Sequence, residues 1–276
     1  MRLLGLVIAL GVMWAIFSFI ERRPATPPRH WKERSVRTDL VFWFFTPLVT
    51  KTFAGVALVA ALIGTASALG FHVHLAQLQN LLVARGPIAH QPRWLQGIEV
   101  LFLSDGIGYW MHRLFHRGRL WPFHAVHHGS EHLDWLSSVR VHPVNEALMR
   151  IAQVVPLFLL GFDPRVLTAT VPVFTIYALL LHANVDWSFG IFKYVVATPA
   201  FHRWHHAADE DAINKNFTGL FSVWDLMFGT FYMPSHPPRR FGLLHNRLQA
   251  GLWPQIVSPF RSALSGEMIE VTENVD

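Results

Sequence analysis

No cysteine occurs in this 276-residue chain. A disulfide-stapled secreted fold, a Cys-ligated zinc ribbon, an iron–sulfur protein and a cysteine nucleophile are all excluded by that single absence. Charge is scarce as well: 15% of residues are Asp, Glu, Lys or Arg, against roughly 25% in an ordinary soluble protein. Lysine is nearly missing, with 4 Lys beside 19 Arg. There is no internal repeat, no low-complexity tract, no H-E-x-x-H and no G-x-G-x-x-G between a strand and a helix. The GIGYW at 106–110 sits inside an apolar segment and is no dinucleotide fingerprint. What is present is 52% hydrophobic residues, 11 Trp, 22 Phe and 17 His. The net charge of +5 is assigned to cytoplasmic loops of a membrane protein, so no nucleic-acid partner is expected.

Hydropathy predicts four or five apolar segments in an all-α membrane bundle. Leu3 to Ile20 is apolar except for Ser18, about 27 Å as a helix. It is long for a signal-peptide core and is followed by basic residues, so it reads as a transmembrane anchor. The Arg/Lys-rich loop 21–39 is then cytoplasmic by the positive-inside rule. VFWFF (41–45) reads as an aromatic belt or interfacial turn, Phe53–Phe71 as a second span, 72–96 as an outside loop, and Gly97–Met111 as a third apolar segment. Segments 147–161 and 166–183 form a pair joined by FDPR, with kinks expected at Pro156 and Pro172. The tail from about 263 is polar and expected to fray. Threading these alternately puts loop 21–39, segment 112–146 and everything after 184 on the cytoplasmic face. Eleven of the 17 His lie between 112 and 206, all in those segments or at a helix end entering them.

The histidines are spaced as helical faces. His112 and His116 in HRLFH are i, i+4. His124, His127 and His128 in HAVHH are i, i+3, i+4 after Pro122, and His202, His205 and His206 in HRWHH repeat that spacing after Pro199. Such spacings set imidazoles on one face, about 5–6 Å apart at Cβ. His182, in LHAN, ends the last apolar stretch. These nine exceed what one ion accepts, which fits a dinuclear site; imidazole alone does not choose among Zn, Cu, Fe and Ni. His132 and His142 are ambiguous, and His30, His72, His74, His90, His236 and His245 read as ordinary loop residues. Asp105, Glu131, Asp134, Asp186, Asp209, Asp225 and Asn184 are candidates to orient the ring N–H groups. Arg113, Arg117 and Arg203 read either as steering an acidic headgroup or reductase, or as interfacial arginines. Trp110, Trp121, Trp135 and Trp204 are expected to pack the site's apolar wall. Asn216-Phe-Thr218 matches a glycosylation sequon by pattern only.

D-GIG-YWMHRLFH (105–116), WPFHAVHH, RVHP (140–143), LHAN (181–184), TPAFHRWHH (198–206) and NFTGLFSVWDLMFGTFY (216–232) together resemble the fatty acid hydroxylase/sterol desaturase superfamily. The resemblance runs from about 100 to 232, in order and with that family's spacings. It implies an integral membrane, non-haem di-iron enzyme that uses O2 and two electrons to hydroxylate or desaturate a lipid. By that resemblance His112, His116, His124, His127, His128, His182, His202, His205 and His206 are carried over as ligands of two Fe ions.

Two departures qualify it. Fatty acid 2-hydroxylases of this superfamily carry a second His four residues along in the middle motif, whereas the corresponding neighbours of His182 are Ala178 and Asp186. A tenth ligand is therefore absent, or supplied by His142, His132 or Asp186. No cytochrome b5-like haem region is found, so electrons are expected from a separate donor such as a ferredoxin, a cytochrome b5-like protein or a reductase. The expected division is a transmembrane region at 1–96, a catalytic domain at 97–235 and a cytoplasmic tail at 236–276. The rival readings are a membrane zinc hydrolase, which needs a general base beside a three-ligand set, and a metal-transport or haem-binding membrane protein, which needs ionisable groups near the midplane.

Overall fold

A computed structural model describes residues 2–28, 33–70, 86–244 and 248–265. The sequence expectations for His30, His72, His74 and His245, and for the end of the tail, lie outside these. Among the described residues there is no strand, only an isolated antiparallel bridge between Ala207 and Phe241. The helices are α1 (Arg2–Ile20), α2 (Arg34–Phe45), α3 (Lys51–Ala68), α4 (Arg93–Phe115), α5 (Trp121–His128), α6 (Pro143–Leu159), α7 (Pro164–His182), α8 (Pro199–His205), α9 (Val223–Met227) and α10 (Leu252–Ser265).

Three stretches are long and apolar enough to cross a bilayer: Arg2–Ile20, Arg34–Ala68 and Pro164–His182. Only Phe17 of α1 is buried, while Leu4 and Phe19 are more than 60% exposed. Such a helix has the bilayer for its solvent. The second stretch corrects the sequence reading. VFWFF is not a turn; it lies in α2, which passes through a π-helical turn at Thr46–Thr50 directly into α3. Pro47 sits at the start of that turn, where the shifted hydrogen-bond register accommodates its missing N–H without ending the helix. Segments 97–111 and 147–159 are helical, within α4 and α6, with 160–161 in the following turn, and α6 and α7 run through Pro156 and Pro172.

Four helices around the site begin with proline in their first turn: Pro122, Pro143, Pro164 and Pro199. Proline there loses no hydrogen bond and presets φ for the helix. Thr198 caps α8 by accepting from Phe201 N at 3.1 Å, and Asp163 in the FDPR turn caps α7 through Arg165 N at 2.8 Å. The short helices carrying histidines therefore start where local chemistry dictates.

Aromatic packing fixes the N-terminal helices to the rest. Trp135, in the 3₁₀ turn Trp135–Val139, stacks on Phe17 at 5.2 Å and meets Trp43 edge-on at 5.7 Å. Trp43 Nε1 also donates to Leu6 O at 3.0 Å. The GIG of α4 is a close approach: a Cβ on Gly106 would stand 2.7 Å from the Trp224 indole, so only glycine lets α9 seat there. The region 236–276, expected as a cytoplasmic tail, contains α10. In α10, Gln255 and Pro259 are buried, and Phe260 packs on Phe123 of α5 at 5.1 Å.

Candidate metal centre

The C-terminal ends of α4 and α7 meet the short helices α5 and α8 at one place, and the nine histidines converge there. His112, His116, His124, His128 and His205 form one group, and His127, His182, His202 and His206 a second. Within each group the ring nitrogens nearest one another all lie within 4.8 Å. The groups abut: His128 stacks on His206 with ring centroids 4.4 Å apart. HAVHH and HRWHH are each split between the two groups, because i and i+4 share a face that i+3 only partly shares.

Backbone carbonyls orient the rings. Nδ1 of His112 meets Phe217 O at 2.5 Å, that of His127 meets Arg140 O at 3.2 Å, that of His182 meets Ala178 O at 2.7 Å, and that of His205 meets Lys215 O at 2.8 Å. His124 Nδ1 meets Asn145 Oδ1 at 3.0 Å. A carbonyl oxygen only accepts, so in each of these rings Nδ1 carries the proton and Nε2 presents a lone pair.

Those lone pairs point at one another. His112 Nε2 lies 2.9 Å from His124 Nε2, and His127 Nε2 lies 3.2 Å from His182 Nε2. Neither ring of either pair has a proton to place between them, so each contact is repulsive unless a cation intervenes. A second proton is not that cation. Burial pushes His127 down to about 4 and pushes His124, His128, His202, His205 and His206 well below the ordinary histidine range. His116 Nε2 and His205 Nε2 are buried without a hydrogen-bond partner among the described residues. A donor set of converging neutral imidazole lone pairs fits first-row metal ions.

The candidate tenth ligands stand elsewhere. His142 is buried but both nitrogens are engaged: Nδ1 accepts from Val144 N at 3.1 Å, and Nε2 donates to Ile256 O at 3.1 Å. It caps α6 and ties it to α10. His132 faces Glu33 at 3.3 Å, and Asp186 is exposed. None of the three joins either group.

The carboxylates expected to hold the rings do not touch them. Asp225 accepts from Phe217 N, Thr218 N, Thr218 Oγ1 and Thr230 Oγ1 at 2.5–3.0 Å, and Asp105 accepts from Gly219 N and Phe221 N. They fix the loop whose Lys215 and Phe217 carbonyls aim His205 and His112, so their effect on the rings passes through the backbone. Burial raises the Asp225 carboxyl above its ordinary range. Asn184 instead binds Thr26, Asp134 and Asp209 cap turns, and Glu131 is exposed. Asn216, in the left-handed region at φ 57°, is fully buried and bonded to Phe201 O and Tyr232 N. Its sequon is therefore inaccessible.

Arg203 is neither interfacial nor steering: it is 1% exposed and donates to Leu133 O and Thr26 Oγ1. Arg113 donates to Tyr109 Oη. Of the four tryptophans, Trp121 walls the histidines, 5.0 Å from His116 and 5.5 Å from His128. Trp110 lies against Phe228, Trp135 against α1 and α2, and Trp204 against Tyr232.

Two functional residues escaped the sequence reading. Asn145 holds His124, and Asp39 pairs in the buried interior with Arg140, whose backbone aims His127. The only sequence signals were the NE after RVHP and a lone Asp ahead of an apolar run. Asn145→Leu removes the acceptor that sets the His124 tautomer. Metal affinity is expected to fall about 10- to 100-fold, read by competition with a chelator, with the helical circular dichroism unchanged.

Residues 97–230 match the fatty acid hydroxylase family model. The chain is 31% identical over 170 residues to the ornithine lipid hydroxylase OlsE of Rhizobium tropici, covering 61% of this chain and 51% of that protein. It is 33% identical over 146 residues to the alkylglycerol monooxygenase of Danio rerio (52% and 32%). It is 34% identical over 137 residues to the C-4 methylsterol oxidase erg25 of Schizosaccharomyces pombe (47% and 44%). The matched part thus spans about half or less of each of these relatives. No solved structure matches the chain.

Proposed function

As a member of the fatty acid hydroxylase family through residues 97–230, this chain is, we propose, a membrane-bound, O2-dependent di-iron oxidoreductase that hydroxylates or desaturates a C–H bond of a lipid. The observation that carries the reading is the convergence of nine neutral imidazoles into adjacent groups of five and four, with lone pairs facing one another. The relatives named above are, by name, lipid hydroxylases, monooxygenases and oxidases, which supports a lipid substrate.

In this reading His112, His116, His124, His128 and His205 hold one iron, and His127, His182, His202 and His206 the other. The chemistry supplied there is activation of O2 and oxidation of an otherwise unreactive C–H bond. The chain's own residues hold the rings in one tautomer through the carbonyls of Phe217, Arg140, Ala178 and Lys215. Burial keeps the imidazoles unprotonated and excludes bulk water. Among the described residues no carboxylate belongs to either group, so oxide, hydroxide or substrate is expected to balance the charge of two divalent ions there. We further assign catalysis to 97–235, the membrane region to 1–96, a cytoplasmic location to the histidines, and electron delivery to a separate donor protein.

The test is iron analysis of purified protein joined to lipid mass spectrometry of cells expressing the chain or His127→Ala/His128→Ala. About two irons per chain are expected, with lipid species carrying one added oxygen or lacking two hydrogens that vanish in the variant. Retained zinc with intact activity, or no differing lipid in aerated, iron-replete cells, would overturn the reading.

A further inference from the structure

A cavity of about 300 Å³ lies inside the bundle between the π-helical turn, α3, α4, α6 and α7. Along α7 its wall runs from Leu167 to Leu179, about 18 Å of helix. Its two ends differ chemically. Its charged lining residues, Lys51, Glu146 and Arg150, stand with Thr46 and Ser138 toward the histidines; away from them Val100, Val154, Leu167, Val171 and Phe174 line it with the uncharged Ser104, Gln153 and Thr170. The polar end lies close to the metal centre in the chain. Val139 and Val141 flank Arg140, Ala178 supplies the carbonyl that aims His182, and Glu146 follows Asn145, which holds His124.

The charges at that end do not cancel. Arg150 donates to Glu146 at 2.8 Å, one turn away on α6. The Lys51 side chain has no hydrogen bond or ion pair among the described residues. The residue is half-buried, lines the cavity and stands at the start of the 18-residue apolar helix α3, within a stretch apolar enough to cross a bilayer, where a cation calls for a counter-charge. The wall offers two cations against one carboxylate, and that carboxylate already serves Arg150.

We propose that this cavity binds a lipid by an anionic headgroup group, a phosphate or a carboxylate, placed against Lys51 with the Arg150–Glu146 pair beside it. The first part of the chain lies along Val154, Val171 and Phe174. A cavity of this size is at the small end for ligand sites and takes a headgroup and the upper part of one chain, leaving the remainder in the bilayer. Because the polar end is the one nearest the histidines, the carbons presented to the metal centre are those near the headgroup and not those at the chain terminus. Use of the site in catalysis rests on the lipid-oxidising reading above; the binding itself does not.

The experiment measures equilibrium binding of radiolabelled dodecyl phosphate, dodecanoate and dodecanol to the full chain, purified from iron-replete cells, in phosphatidylcholine nanodiscs, with empty nanodiscs subtracted. At least one anion is expected to bind about tenfold more tightly than the alcohol, and comparison of the two anions identifies the headgroup. Lys51→Met should bring the anions to within about twofold of the alcohol, Lys51→Arg should retain the preference, and Val154→Trp, which fills the apolar end, should weaken all three. Equal binding of alcohol and anions by the wild type, or an anion preference that persists in Lys51→Met, overturns the proposal. Iron content and lipid oxidation are measured on the same preparations. A protein that holds iron and oxidises lipid without a Lys51-dependent preference refutes the headgroup site alone, and one that shows the preference but holds no iron refutes the oxidase reading alone.

Discussion

Replacing His124 and His128 by alanine together is expected to leave about one iron per chain in place of two, and to lower lipid oxidation more than 100-fold. The pair belongs to the group of five, and His124 is its hub: its Nε2 is 2.9 Å from His112 Nε2 and 3.2 Å from His128 Nε2. The matching change in the group of four, His182→Ala with His202→Ala, should also leave about one iron, since those rings contact each other at 3.3 Å and belong only to that group. Loss of an outer partner costs up to about 100-fold, so removal of direct ligands should cost more. The two double variants, compared by iron analysis and by the rise of the thermal midpoint on iron loading, test the division into two ions. Unchanged iron content in either would refute it. Loss of both ions from each would show a single interdependent site.

Asp39→Ala is expected to destabilise the protein by about 3–5 kcal/mol, the usual consequence of leaving one partner of a buried ion pair alone. That corresponds to a fall of roughly 10 °C in thermal midpoint for a chain of this size. Asp39 is 0% and Arg140 2% exposed. The guanidinium also donates to Ser35 O at 3.0 Å and to Gly129 O at 3.4 Å, while the Arg140 carbonyl accepts from the His127 ring. One residue thus ties α2, the end of α5 and a metal-facing ring together. The loss should therefore appear in metal affinity as well as in stability. Asp39→Leu with Arg140→Met, which removes both charges, should recover most of the stability. A single Asp39→Ala variant with an unshifted midpoint would refute the structural role.

Much of this was legible locally. Proline in the first turn marked the starts of α5 and α8, and i, i+3 and i+4 spacings marked the faces that carry the imidazoles. The π-helical turn was not legible, because Pro47 ordinarily ends an apolar helix and only the observed shift of register keeps this one continuous. Acids are the expected ring-orienting groups, whereas of the five oriented rings His124 meets the Asn145 amide and the other four meet peptide carbonyls. Every residue carries one, so no side chain announces it. His142 is ambiguous in sequence because its residue type suits a ligand; its two nitrogens are engaged by Val144 and Ile256, which lie in different elements.

The sequence by itself determined the class of molecule: a helical, cysteine-free membrane chain with eight imidazoles at helical spacing and a ninth, His182, at the end of an apolar stretch. Those properties follow from composition and short-range periodicity, which act over a few turns. Tertiary structure alone decided how the nine divide into five and four, which tautomer each oriented ring adopts, and that an aspartate 101 residues away anchors the arginine behind His127. Such contacts join segments whose separation along the chain carries no periodic trace, and burial makes their geometry the thing that sets the charge.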